Sequence, residues 1–192
     1  MFAKRGGWDC NFEGTFQWGT FGSGEIIAWA LASDAGYTFE SAPAKPRLGL
    51  NAHVISGDTN ADNNMLGTFN ALFPRANYFG EIALIGAANI FDLHPSLELH
   101  LTRDLTVSAD WDFFWRYSTD DGIYDAGGAV LRPAIGDAQY IGHQPGVGVA
   151  WQIDRHTSLN AAYSHFFAGD FIKESGPGAD VDFVAVWLQY RF

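Results

Sequence analysis

Several things are scarce in this chain, and each scarcity removes a class of protein. The single cysteine, Cys10, can close no internal disulfide and has no companion for a metal site, so it reads as a small apolar strand residue. Basic residues are few, with Lys plus Arg at 11 against 22 Asp plus Glu and a formal net charge of −11. A phosphate backbone requires a basic patch, which excludes nucleic acid as a partner, whereas acidic outer loops fit that balance. No run of about 18 apolar residues occurs, and this excludes transmembrane helices but not a barrel, whose apolar signal is diluted by alternation. The opening Met1-Phe2-Ala3-Lys4-Arg5-Gly6-Gly7 leads straight into a strand pattern with no apolar h-region of a secretory signal. The expectation is the carboxy-terminal part of a longer protein or a mature domain already freed of its signal.

What is present is alternation. The 192 residues suit one domain, and hydrophobic content of 47%, aromatics at 16% and 22 glycines favour strands and turns. The closing stretch from Asp182 to Phe192 sets Val184, Val186, Leu188, Tyr190 and Phe192 on one face. Asp182, Gln189 and Arg191 are assigned to the other face with Phe183 and Trp187, as a strand between lipid and a wet lumen requires. Trp8, Cys10, Phe12, Gly14, Phe16 and Trp18 alternate with Asp9, Asn11, Glu13, Thr15 and Gln17, close to the roughly 9–11 residues that cross a bilayer obliquely.

After a turn at Gly22-Ser23-Gly24, Trp29 to Phe39 oppose inward Ala28, Ala30, Ala32 and Asp34. Pro43 and Pro46 break the chain, and then Leu48 to Val54 face out while Arg47, Gly49, Asn51 and His53 face in. Further strands are expected over 91–101, 105–117, 144–153, 159–167 and 182–192, separated by long loops over 56–88, 119–138 and 170–179 and by short turns. From the third strand onward the connections alternate long and short, the habit of barrels with extended extracellular loops and tight periplasmic turns. The predicted fold is therefore an all-β, antiparallel, up-and-down transmembrane β-barrel of about eight strands, in the bacterial outer membrane.

Several segments in this order are similar to one known family. They are Pro46-Arg47-Leu48-Gly49-Leu50, Ser56-Gly57-Asp58, Gly67 to Pro74, Tyr78-Phe79-Gly80, Asn89-Ile90-Phe91-Asp92, Phe114-Trp115-Arg116 with Asp121 and Tyr124, Ser164 to Gly169, and Tyr190-Arg191-Phe192. Together they resemble the alginate export family of outer-membrane porins over roughly residues 8–192. Members are much longer barrels, so the resemblance implies a carboxy-terminal portion of a larger barrel. It also implies inward basic residues that guide an anionic uronate polymer, a role open to Arg47, Arg116 and Arg191 at the periplasmic rim, because a planar guanidinium pairs with carboxylates and stays charged. The terminal Phe192 resembles the signal read by the barrel-assembly machinery.

His53, Asp110 and Asp112 belong to the same lumen path, and Asp9, Glu13, Asp34, Asp92, Glu98 and Asp182 are assigned to the interior with them. A ladder of paired charges stiffening the wall is the competing reading for each arginine. Asp58, Asn60 and Asp62 have the spacing of the first ligands of a calcium loop, yet Asn63 stands where its glycine should and Phe69 where its bidentate glutamate should. His94, Glu98 and His100 recur at even spacings, too wide for one metal along a single strand. Adjacent Ser164 and His165 point to opposite faces and cannot form a dyad, so no enzyme, metal or cofactor is expected. Outward Trp and Tyr read as interface girdles in contact with outer-membrane lipid. Two functions stay open: a passive channel segment for an anionic polysaccharide or small polar solute, and a self-contained eight-stranded structural or adhesive barrel with a filled interior.

Overall fold

The computed structural model describes residues 1–60, 62–75 and 77–192. In chain order the elements are β1 (Phe2–Arg5), β2 (Trp8–Phe21), β3 (Gly24–Thr38), β4 (Arg47–Ile55), β5 (Met65–Leu66), β6 (Ile90–His100), β7 (Leu105–Arg116), β8 (Ile123–Tyr124), β9 (Val130–Arg132), β10 (Tyr140–Gln152), β11 (Thr157–Ala168), α1 (Asp170–Glu174) and β12 (Val181–Tyr190). Each of the eight segments expected from alternation is a strand. They lie side by side in sequence order, every neighbour antiparallel, in a 10-stranded sheet that β1 and β5 complete. A period of two puts one row of side chains on each face, and only a sheet turns that pattern into two chemically distinct surfaces.

Four details differ from the sequence reading. Among the described residues no pairing joins β12 back to β1 or β2, so the sheet has two open edges and ring closure is not seen. The loops expected over 119–138 and 170–179 contain a small β8–β9 hairpin and the single-turn helix α1. The first hairpin overreaches its neighbour: β2 and β3 pair as far as Phe21 and Gly24 around Gly22, whose φ of 61° suits a tight hairpin turn, whereas β4 pairs with β3 only up to Ala30. Beyond that point the short β5 runs parallel to the tip of the overhang, Glu25 opposite Met65.

The fourth concerns Asp182, which pairs with His165 and so shares the outer row with Val184 and Val186, not the interior assigned to it. Its carboxylate accepts from Tyr163 Oη at 2.8 Å and meets His165 Nδ1 at 2.8 Å.

The buried core is one-sided. Ile55, Ile90, Phe114, Phe166 and Ala168 from the long-loop ends of the strands pack with Phe79, Ile82 and Ile85 of the 56–89 loop, with Ile123 and with Phe171 and Ile172 of α1. All three long connections therefore fold back over the same face, called the inner face below. The opposite, outer face is bare: Leu31, Leu50, Val147, Val184, Val186 and Leu188 are all exposed. A continuous uncovered apolar surface across a whole sheet far exceeds the patches of a water-soluble monomer.

Candidate functional site

The outer rows carry no Lys or Arg on any of the eight long strands, and their acidic and histidine side chains, Glu25, His143, His165 and Asp182, sit at the long-loop end. Two aromatic belts frame the aliphatic band. Near the long-loop end Trp29 meets Tyr117 with centroids 5.6 Å apart, Phe91 meets Trp115 at 5.4 Å, Trp115 meets Tyr140 at 5.6 Å and His143 stacks on Phe167 at 4.7 Å. Near the short-turn end Trp8 meets Tyr37 at 5.0 Å and Tyr190 meets Phe192 at 5.4 Å. From Trp29 to Tyr37 the rise is about 27 Å along the strand, or on the order of 20 Å of height at barrel tilt, comparable with an outer-membrane apolar band.

The inner face is polar below the core. At the short-turn end Arg47 donates to both oxygens of Asp9 and, at 3.0 Å, to Asp34. Gly36 and Gly49 make room for that guanidinium, since a Cβ on Gly49 would stand 2.7 Å from Arg47 Nη1. Higher up, His53 Nδ1 lies 2.8 and 2.9 Å from the two oxygens of buried Asp92. Next to it His94 faces Asp110 through Nε2 at 3.2 Å and Asp112 through Nδ1 at 3.3 Å, while His100 meets Glu98 at 3.1 Å. These pairs join neighbouring strands except His100 with Glu98, which share β6, and Arg47 with Asp9, which reaches across β3 from β4 to β2, so the charges tie strand to strand.

Two cavities open on this face. One of about 480 Å³ is walled by Asn11, Glu13, Asn51, His53, Arg75 and Tyr78, between β2–β4 and the 56–89 loop. Another of about 870 Å³ at the short-turn end gathers Lys4, Lys45, Arg47 and Arg103 against Asp9, Glu40 and Glu98. In a chain with only 11 basic side chains, four of them converge there. Arg75 has no carboxylate within ion-pair distance among the described residues.

Arg116 departs from its expected role. It does extend from the inner row of β7, but it is 2% exposed and its guanidinium donates to the carbonyls of Ala138, Gly136, Thr119 and Asp121, with Phe171 stacked 4.0 Å from Cζ. Its charge faces loop backbone, not an open lumen. Arg191 lies past the end of β12 and donates to Gln189 at 3.2 Å. Asp58, Asn60 and Asn63 each cap the amide two residues on, at 2.7–3.0 Å, so successive Asx turns use the oxygens that a cation would need. Ser164 faces in opposite Phe183 while His165 faces out opposite Asp182.

Two polar staples escape a linear reading. Asn89, fully buried at φ 50°, donates to the carbonyls of Ser118, Asp121 and Gly122 and accepts from Ser118 N. Asp121 accepts from Asp58 N, Thr68 Oγ1, Gly122 N and Tyr124 Oη, tying the first long loop to the second. That hydrogen bond and burial push the Tyr124 phenol up to about 12, burial being the larger cause. A signal for such folding was present in Ile82, Leu84 and Ile85, which are too apolar for a solvated loop.

The family model described as alginate export matches residues 2–186. The chain belongs to the alginate export family. Among curated proteins no sequence matches it. Membership suggests export of polysaccharide across an outer membrane.

Proposed function

We propose that the chain forms part of the wall of an outer-membrane channel through which an anionic polysaccharide of the alginate type, or another polar solute, passes down its gradient without a cofactor. The observation that carries this reading is the contrast between the two faces of one sheet. The outer face is apolar, bare and belted by aromatics, and the inner face is polar and holds the cavities. Outer-membrane lipid is the partner of the first face and a hydrated solute that of the second. Arg75, free of ion pairs among the described residues, offers a uronate its planar fork, and the four cations at the short-turn end draw it inward. The terminal Phe192 is the element offered to the assembly machinery.

The inner face argues for a barrel larger than eight strands. A ring of about eight encloses only enough space for side chains or one small ligand. Here the inner face carries three folded loops as well as cavities, and this leaves the self-contained structural or adhesive barrel without room for them. No catalytic step is proposed, since Ser164 and His165 lie on opposite faces. The test is conductance of the full-length protein in a planar bilayer, with reversal potentials measured in a salt gradient and block by oligouronate. A stable conductance whose anion preference and block weaken in Arg75→Gln supports the reading. A protein that inserts but conducts nothing overturns it.

A further inference from the structure

The two histidines near mid-wall differ in a way that counts protons. His53 presents one nitrogen to one carboxylate, an arrangement that a neutral imidazole satisfies with Nδ1–H donating to Asp92. His94 presents both nitrogens to two carboxylates, Asp110 at 3.2 Å and Asp112 at 3.3 Å. A neutral imidazole has one N–H and one lone pair, so one of those contacts would oppose lone pair to lone pair. The arrangement closes only with one more proton than a neutral imidazole and two carboxylates contain, whether it rests on the ring or on a carboxyl. Asp112 sharpens the need, for it is 1% exposed and neither of its oxygens has a hydrogen bond of good geometry. Two ionised carboxylates, Asp92 and Asp112, would otherwise be shut away side by side with no Lys or Arg of the described residues within ion-pair distance.

What shuts them away is the 56–89 loop. Tyr78 and Phe79 lie over His53 with centroids 5.1 and 5.7 Å away, and Phe79 packs edge-on against Phe114 at 5.6 Å. Gln144, the β10 residue opposite Asp112, donates to the Phe79 carbonyl at 3.0 Å. The charged and titratable groups around the cluster are His53 on β4, Asp92 and His94 on β6, Asp110 and Asp112 on β7, Tyr78 and Arg75 on the loop, and Glu13 and Asp34 across the cavity; neither Asp92 nor Asp112 forms an ion pair with Arg75. The facing residues of β10 and β11 are the uncharged Gln144 and Ser164. Arg116 supplies no compensation, being engaged with carbonyls near the long-loop rim.

We propose that Asp110, His94 and Asp112 form a proton-binding site, and that the proton they hold keeps the 56–89 loop seated over the inner face. Lifting the loop admits water to Asp112 and Asp92, which hydrates both as carboxylates, and the one extra proton of the site leaves to solvent. One proton released per opening makes the seated-to-lifted ratio fall tenfold for each pH unit above the titration of the open site. Acid therefore seats the loop and alkali releases it, whichever solute the channel carries.

The experiment is amide hydrogen exchange of residues 77–86 in the full-length protein in detergent micelles, from pH 6 to pH 9. Each rate is divided by that of the Asp112→Asn variant at the same pH, which cancels the chemical pH dependence of exchange. The asparagine can both donate and accept, so the variant needs no extra proton and its loop stays seated. The expected ratio of wild-type to variant exchange is flat at low pH and climbs about tenfold per unit at high pH. Asp110→Asn, at the exposed end of the site, removes the same proton and decides the matter if the first variant does not fold. A ratio that stays constant across the range in the variant that folds overturns the proposal. Because loop protection is read directly, a protein that fails to conduct leaves this result untouched, and the reverse also holds.

Discussion

Arg47 and Arg116 rise from the same inner face at opposite ends of the strands, and their surroundings turn the same side chain to different ends. Around Arg47 the wall is open: carboxylates from the next strand, β3, and from β2 beyond it hold the guanidinium beside a cavity, so its field reaches anything that enters. Around Arg116 three long loops have closed, and its donors replace water for carbonyls that no ladder satisfies. An arginine amid carboxylates tunes a path, while one amid carbonyls fixes a loop. Inward direction alone does not separate them.

The sharpest way to break that contrast is Arg116→Ala. It removes the shared donor of four loop carbonyls, one of them buried, and a loss of about 3 kcal/mol is expected in urea unfolding from micelles, with the loops at that end becoming open to protease. Asn89→Ala removes three donated bonds and puts a β-carbon residue without a polar tip at φ 50°, for an expected loss of about 3 kcal/mol in the same measurement. Arg47→Gln is expected to lose only about 1–2 kcal/mol, since its side chain is partly open to water, but to shift the reversal potential of the channel toward cations as Asp9 and Asp34 lose their partner. Selectivity changes of equal size in the Arg47 and Arg116 variants would erase the distinction between the two ends.

A smaller effect belongs to Tyr124, whose phenol is pushed up to about 12. The neutral phenol is the form the fold favours, so its contribution is complete below the ordinary tyrosine range near 10 and is lost as pH rises through about 12. The tyrosinate absorbance of the wild type minus that of Tyr124→Phe is expected to titrate near the higher value. A midpoint near 10 would mean that the loop end is not closed. Arg75→Gln is expected to leave stability within about 0.5 kcal/mol and to alter only permeation.

The strands were legible because an apolar face and a polar face impose period two directly on the residue order, as in Trp8 to Trp18. Even Asp182 follows from strict counting, for it shares the parity of Val184, and assigning it by its charge placed it on the wrong face. The inner-face ion pairs were half legible: direction could be read, but the partner of Arg47 lies 38 positions away in the chain. The loops were not legible, because their order comes from hydrogen bonds between segments far apart in sequence. Asp58 joins Asp121 across 63 positions, and Asp58, Asn60 and Asn63 each accept from the amide two residues on. Arg75 escaped notice for the same reason, since a loop has no periodicity to say which way it folds.

The two open edges carry a consequence for biogenesis. Along β12 and the upper part of β2 a row of amides and carbonyls has a neighbour on one side only. Hydrocarbon offers such groups nothing, at a cost of several kcal/mol for each one stranded. In the outer-membrane reading proposed above, this sheet cannot enter a bilayer first and find its neighbours afterwards. Insertion and the zipping of each seam are then a single event.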